Sequence, residues 1–111
     1  MAYDEVLAER IRTLLAGEHD VTEKKMFGGL AFLIGGNMSV SASGQGGLLL
    51  RCEPAETADL VQEPHASTAV MRGRAMEGWL RIAPEGVETD AELQTWVTRA
   101  VAYARSLPPK G

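Results

Sequence analysis

The side chains with most chemistry to offer are a single cysteine, Cys52, and two histidines, His19 and His65. A thiol becomes a nucleophile when a helix N-terminus, a cation or an adjacent histidine lowers its pKa. Cys52 adjoins Arg51 and stands just before Pro54, a residue suited to the first position of a helix. A small enzyme or small-molecule-binding protein using Cys52 with a histidine is therefore one reading. Against it, neither histidine lies in a catalytic motif, and an unpaired cysteine at a strand end is usually a small buried hydrophobe. None of the three is at metal-ligand spacing, so no metal site is expected, and no cofactor. Gly28-Gly29 and Gly35-Gly36 lack the strand-to-helix context and the lysine or serine of a phosphate loop; they read as turns or bulges.

The cations are a second candidate. Lys24, Lys25, Arg72, Arg74 and Arg81 could form an interaction patch meeting an anion or an acidic partner surface, with Arg72 and Arg74 on one sheet face if their strand is continuous. The bland alternative is solvated surface charge, paired with Glu77 or with acidic helices. Met26, Met38, Met71 and Met76 could line an adaptable groove, though core filling is the commoner use of scattered methionines.

These residues must be positioned by a run of short strands. Thr22–Met26, Gly29–Ile34, Met38–Ala42 and Leu48–Cys52 are separated by glycine-rich turns too short for a crossover, so neighbours run antiparallel. Before them, Leu7, Ile11, Leu14 and Leu15 recur at helical spacing between Asp4 and Ala16. After them, Pro54–Val61 predicts a short helix ended by Glu63-Pro64, and His65–Thr68 a loop. Ala69–Arg72 and Glu77–Ile82 predict two strands around a Gly73 turn. Pro84-Glu85-Gly86 is a turn. Thr89 with Glu92 predicts a capping box opening a last helix, whose apolar face is Leu93, Trp96, Val97, Ala100, Val101 and Ala104. The order helix, three or four strands, helix, two strands, helix predicts an α+β two-layer sandwich, an antiparallel sheet of about five to six strands covered by helices. Alternation in Met38–Ala42 predicts that Ser39 and Ser41 face a partly wet side. Gly29–Ile34 does not alternate, so that strand is central or covered by a partner chain.

With 111 residues, 45% hydrophobic and 23% charged, the chain has the composition of one soluble globular domain, 1–111. The longest apolar runs fall well short of a membrane span, so no membrane association is expected. An acidic start without a signal-peptide pattern and a lone cysteine predict a cytoplasmic setting. A net charge of −4 and a pI near 5.1 argue against direct nucleic-acid binding, which draws on clustered basic residues.

Three stretches carry a family resemblance: TEKKMFGGLAFLIGGNM around Glu23–Asn37 (the string itself runs from Thr22 to Met38), GRAMEGWLRIAPEG at Gly73–Gly86 and WVTRAVAYARSLPPK at Trp96–Lys110. Together they resemble the N-terminal domain of the TfoX/Sxy family, in order and over nearly the whole chain. The resemblance implies the α+β fold reached above and a non-enzymatic regulatory role. The family's named members are competence regulators, thought to act as transcriptional co-activators beside the cyclic-AMP receptor protein. Those regulators carry a second, helical domain, so this chain is read as a stand-alone first domain. No catalytic residues come with the resemblance. Its motif residues Met26, Phe27, Gly28, Gly29, Trp79 and Trp96 are read as architectural. The expected partner is a protein, with a transcription factor the implied class. A homodimer through a strand edge or the Gly29–Ile34 face is the other expectation.

Overall fold

The computed structural model describes residues 3–26 and 28–108. Its elements run α1 (Glu5–Leu14), β1 (Val21–Met26), β2 (Gly29–Ile34), β3 (Asn37–Ala42) and β4 (Leu48–Arg51), then a 3-10 turn (Pro54–Glu56) leading into α2 (Thr57–Leu60). They continue with β5 (Ala66–Met71), β6 (Arg74–Ile82), a second 3-10 turn (Pro84–Val87) and α3 (Asp90–Ser106). The strands form one antiparallel sheet of six in the order β1-β2-β3-β4-β6-β5, the α+β arrangement expected from the sequence.

Local chemistry sets the turns and ends. Gly35-Gly36 join β2 to β3 with φ of 57° and 83°, and Ile34 pairs with Asn37 across them. A two-residue loop left-handed at both positions matches the twist of its strands, and glycine enters that region without steric cost. At Gly29 the constraint is space: a β-carbon there would lie 2.1 Å from the Ala42 carbonyl oxygen. Asp4 caps α1 by accepting from the N–H groups of Val6 (2.9 Å) and Leu7 (3.1 Å). The Thr89–Glu92 capping box is present, each residue's side chain accepting from the other's backbone N–H.

The core lies between the sheet and α1 with α3. Leu30, Phe32, Val40, Leu48, Leu50, Leu80 and Ile82 point from the strands onto Leu7 and Ile11 of α1 and Leu93, Trp96, Val97 and Ala100 of α3. Full burial of a Leu, Ile or Phe side chain contributes roughly 1.5–3 kcal/mol, so this layer dominates stability. The second face carries a smaller cluster of Ala31, Met38, Leu49 and Ala69, with Met26, Leu33 and Trp79 packed against it. Among the described residues, no helix residue belongs to that cluster.

Apart from shifts of one or two residues at other element ends, the structure differs from the sequence reading at four places. β5 begins at Ala66, so Ala66, Ser67 and Thr68, expected in a loop, are strand. β6 begins at Arg74 instead of Glu77. Arg72 is a turn residue at φ 54°, paired with Gly73 at φ 77°; the strand is not continuous through it. Placing an arginine in the left-handed region costs roughly 1 kcal/mol, which is why its sequence reads as strand. Ser39 and Ser41, expected on a partly wet face, are fully buried. The pairing steps from Phe32 opposite Val40 to Leu33 opposite Met38, so Ser39 is the extra residue of a bulge. Its hydroxyl donates to the Phe32 carbonyl at 2.7 Å.

Candidate protein-interaction surface

The sheet register builds the second face in rows. Lys24 of β1 pairs with Ala31, Ala31 with Ser41, Ser41 with Leu49, Leu49 with Arg81, and Arg81 with Ser67. Cross-strand partners share a face, so this row crosses all six strands and carries a cation near each end. At about 4.8 Å per strand, Lys24 and Arg81 stand roughly 19 Å apart. In the next row Thr22 pairs with Leu33 and Leu33 with Met38, while Arg51 pairs with Trp79. The face therefore presents Lys24, Arg51 and Arg81 around half-buried Leu33 and Trp79.

The expected patch does not form one cluster. Arg81 is committed inward: its guanidinium donates to Ser43 Oγ (3.0 Å) and to the carbonyls of Gln45 (3.3 Å) and Gly46 (3.2 Å), clamping the β3–β4 loop. Lys24 and Lys25 alternate, Lys24 sharing the face of Ala31 and Lys25 that of Leu30. Arg72 and Arg74 flank Gly73 at the tip of the β5–β6 hairpin, both exposed. Arg51, absent from the sequence candidates, holds its guanidinium 5.3 Å from the Trp79 ring centroid and 5.4 Å from that of Tyr103. Its alternation with Leu50 was the available signal: the neighbour of a core residue faces the other side.

Charge pairing divides the molecule. Among the described residues, the helix cations Arg10, Arg12, Arg99 and Arg105 each meet a carboxylate. Lys24, Lys25, Arg51, Arg72, Arg74 and Arg81, all on strands or the β5–β6 turn, enter no ion pair among those residues. The strands hold two carboxylates, Glu23 and Glu77, and Glu23 is taken by Arg12 at 2.6 Å. A chain of net charge −4 thus keeps its acid on the helical side and its unmatched base on the sheet.

The motif residues fall in different surroundings. Trp96 is buried on α3, with the Arg99 guanidinium 4.7 Å from its ring centroid. Trp79 and Met26 border the second-face cluster. Gly28 sits at φ 77° beside the close-packed Gly29, and Phe27 lies outside the described residues.

Cys52 lines a cleft of about 380 Å³ with Glu53, Glu56, Leu60, Arg99, Ala102, Tyr103 and Ser106. Its sulfur lies 3.8 Å from Thr57 Oγ1, and no histidine is among its hydrogen-bond partners in the described residues. Burial pushes the thiol above its ordinary pKa; the Thr57 contact opposes this, and Glu56 and Glu53 add to it. Thr57 is itself engaged, accepting from Gly78 N–H at 2.8 Å. His19 is drawn to Arg105, 3.4 Å from its Nε2, and His65 packs beside Gly86. The candidate nucleophile and its candidate bases are therefore not brought together. No group of three or more metal-ligating side chains occurs among the described residues, and no helix among them is long and apolar enough to cross a membrane.

No curated protein and no solved structure matches the chain. A family model does: the TfoX N-terminal domain matches residues 13–104, from within α1 to near the end of α3 and through the whole sheet. With that match running through every strand of the face just described, the chain belongs to the TfoX N-terminal domain family.

Proposed function

We propose that this chain is a non-enzymatic interaction domain of the competence-regulator type, a transcriptional co-regulator that docks an acidic protein surface onto its sheet. The observation that carries the reading is the charge segregation: six sheet cations without a carboxylate partner among the described residues, beside helices whose cations are matched. An exposed ion pair across an interface contributes about 0.2–1 kcal/mol, so the cations would mainly steer and orient. Affinity would come from apolar contact with Leu33, Trp79 and their neighbours. A protein partner suits this surface better than nucleic acid, because the cations are dispersed and the net charge of −4 repels a polyanion.

The test is affinity capture from the host lysate with the parent protein and with a Lys24→Glu, Arg74→Glu double variant, followed by mass spectrometry. Both positions are exposed, so the variant should melt within about 2 °C of the parent. The expected result is a transcription factor or polymerase subunit recovered by the parent, weakened by salt, and reduced at least tenfold by the variant. Equal recovery by both proteins would remove the cation face from the account. Recovery of nothing but the protein itself would overturn the co-regulator reading and direct attention to the Cys52 cleft, through a metabolite thermal-shift screen.

A further inference from the structure

The two edges of the sheet are built differently. β1, Val21–Met26, carries Glu23, Lys24 and Lys25, charges that discourage another strand from adding. β5, Ala66–Met71, reads ASTAVM, six residues without a charge or a proline. Val70 on it is 65% exposed and is, with Val6, one of the large apolar side chains left in water among the described residues. The irregularity next to it lies on the inner strand. Thr68 pairs with Leu80 and Val70 with Ala75, so Ala69 alone opposes the four residues Met76–Trp79, and β6 takes up the excess around Gly78 at φ 85°. β5 itself stays regular.

Backbone alternation identifies the groups on the open edge. His65 accepts from Ala83 N–H at 2.9 Å and so points inward, as does Ser67; Ala66 and Thr68 point outward. Ala66 N–H is satisfied by the Glu63 carbonyl at 3.2 Å. Met71 and Arg74 close the two-residue turn, which turns Val70 outward as well. Thr68 and Val70 thus offer their N–H and C=O groups to another strand.

We infer that β5 pairs antiparallel with β5 of a second copy of this chain, Thr68 against the partner's Val70, with Ala69 on the two-fold axis. Ala69 then forms a non-hydrogen-bonded pair with its own copy, where α-carbons approach to about 4.5 Å and a small side chain fits. The same register brings the Arg72-Gly73-Arg74 turn of each copy up to the start of the partner's β5, which follows Glu63, so the basic end of each strand meets the acidic end of the other. The charged β1 edges lie at the outer ends, and assembly stops at two copies and a continuous sheet of twelve strands, six from each. A six-residue strand pair is smaller than a standard interface of about 1,600 Å², which places the dissociation constant in the micromolar range.

Sedimentation velocity between about 5 and 200 µM tests this without any partner. The wild-type protein should shift from 11.9 kDa toward twice that mass. Thr68→Pro removes an outward N–H that the sheet does not use, and Val70→Lys places a charge on the open edge. Each should raise the dissociation constant at least tenfold while the far-ultraviolet circular dichroism is retained. Lys24→Glu, on the other edge, should leave the dimer unchanged. A monomer at 200 µM overturns the inference, and so does a dimer that persists in whichever of the two β5 variants folds. Either outcome leaves the capture experiment on the sheet face untouched.

Discussion

Replacing Arg81 separates a structural clamp from a binding residue. The Arg81 guanidinium reaches from β6 across β4 to Ser43 Oγ at 3.0 Å, the Gln45 carbonyl at 3.3 Å and the Gly46 carbonyl at 3.2 Å. Its row partner Leu49 is 8% exposed, so the arginine stem shields apolar surface as well. A hydrogen bond from a charged donor contributes roughly 1.5–3 kcal/mol when buried. These three are long or partly solvated, and together they support about 2 kcal/mol. For a domain of this size, 1 kcal/mol moves the melting temperature by roughly 4 °C, so Arg81→Ala should melt about 8 °C below the parent. Arg81→Lys should recover little of this, because a single ammonium cannot span three acceptors arranged for a planar fork. The assay is thermal unfolding followed by circular dichroism, with a urea midpoint as a check. A melting temperature within 2 °C of the parent for Arg81→Ala would refute the clamp and return Arg81 to the docking surface.

Further outcomes can be checked independently. Native Cys52 should resist iodoacetamide at pH 6 and at pH 8 and label promptly in urea, since its thiol is buried and its pKa raised; rapid native labelling would reopen the nucleophile reading. Gly29→Ala, whose β-carbon would lie 2.1 Å from a backbone oxygen, should lose more than about 3 kcal/mol or fail to fold, whereas Gly17→Ala, with open space around it, should be neutral in a urea titration. Hydrogen bonds from Arg12 hold the Glu23 carboxyl below its ordinary range. Its contribution is therefore present above the unfolded pKa near 4.3 and is lost as pH falls through the lower folded value. Glu23→Gln should flatten the acid limb of the stability curve by a small amount, and an unchanged limb would rule out the pair.

The sequence announces whatever is local. Paired glycines at Gly35-Gly36 specify a hairpin because few other residues accept two left-handed positions, and Thr89 with Glu92 specifies a helix start through a reciprocal pair of hydrogen bonds. Features that depend on distant partners stay hidden. Arg81 looks like an exposed strand cation until Ser43, Gln45 and Gly46, 35 to 38 positions earlier, are brought beneath it. Ser39 looks solvent-facing because alternation assumes an uninterrupted ladder, and the bulge breaks that assumption. Arg72 reads as strand because arginine is rarely placed at positive φ, yet it completes the turn that ends β5. Of the candidate surface, Lys24 and Arg74 were visible as residues, while the face that gathers Lys24, Arg51 and Arg81 required the register.

The proposed dimer and the proposed docking face constrain each other geometrically. Antiparallel pairing of a strand with its own copy places the two-fold axis perpendicular to the sheet, so both copies keep their helices on one side and their second faces on the other. Two sets of Lys24 and Trp79 would then look in the same direction across the twelve-stranded surface. A partner that is itself two-fold symmetric could engage both, and the second contact would form at the high effective concentration set by the first, strengthening binding by a factor of about 10²–10⁴ with no new type of interaction. Thr68→Pro should then weaken capture of such a partner even though Thr68 lies on the edge strand, paired with the core residue Leu80, while Lys24→Glu with Arg74→Glu should weaken it through the face. If the two perturbations are combined and the losses simply add for a monomeric partner but not for a dimeric one, the coupling runs through the two-fold axis.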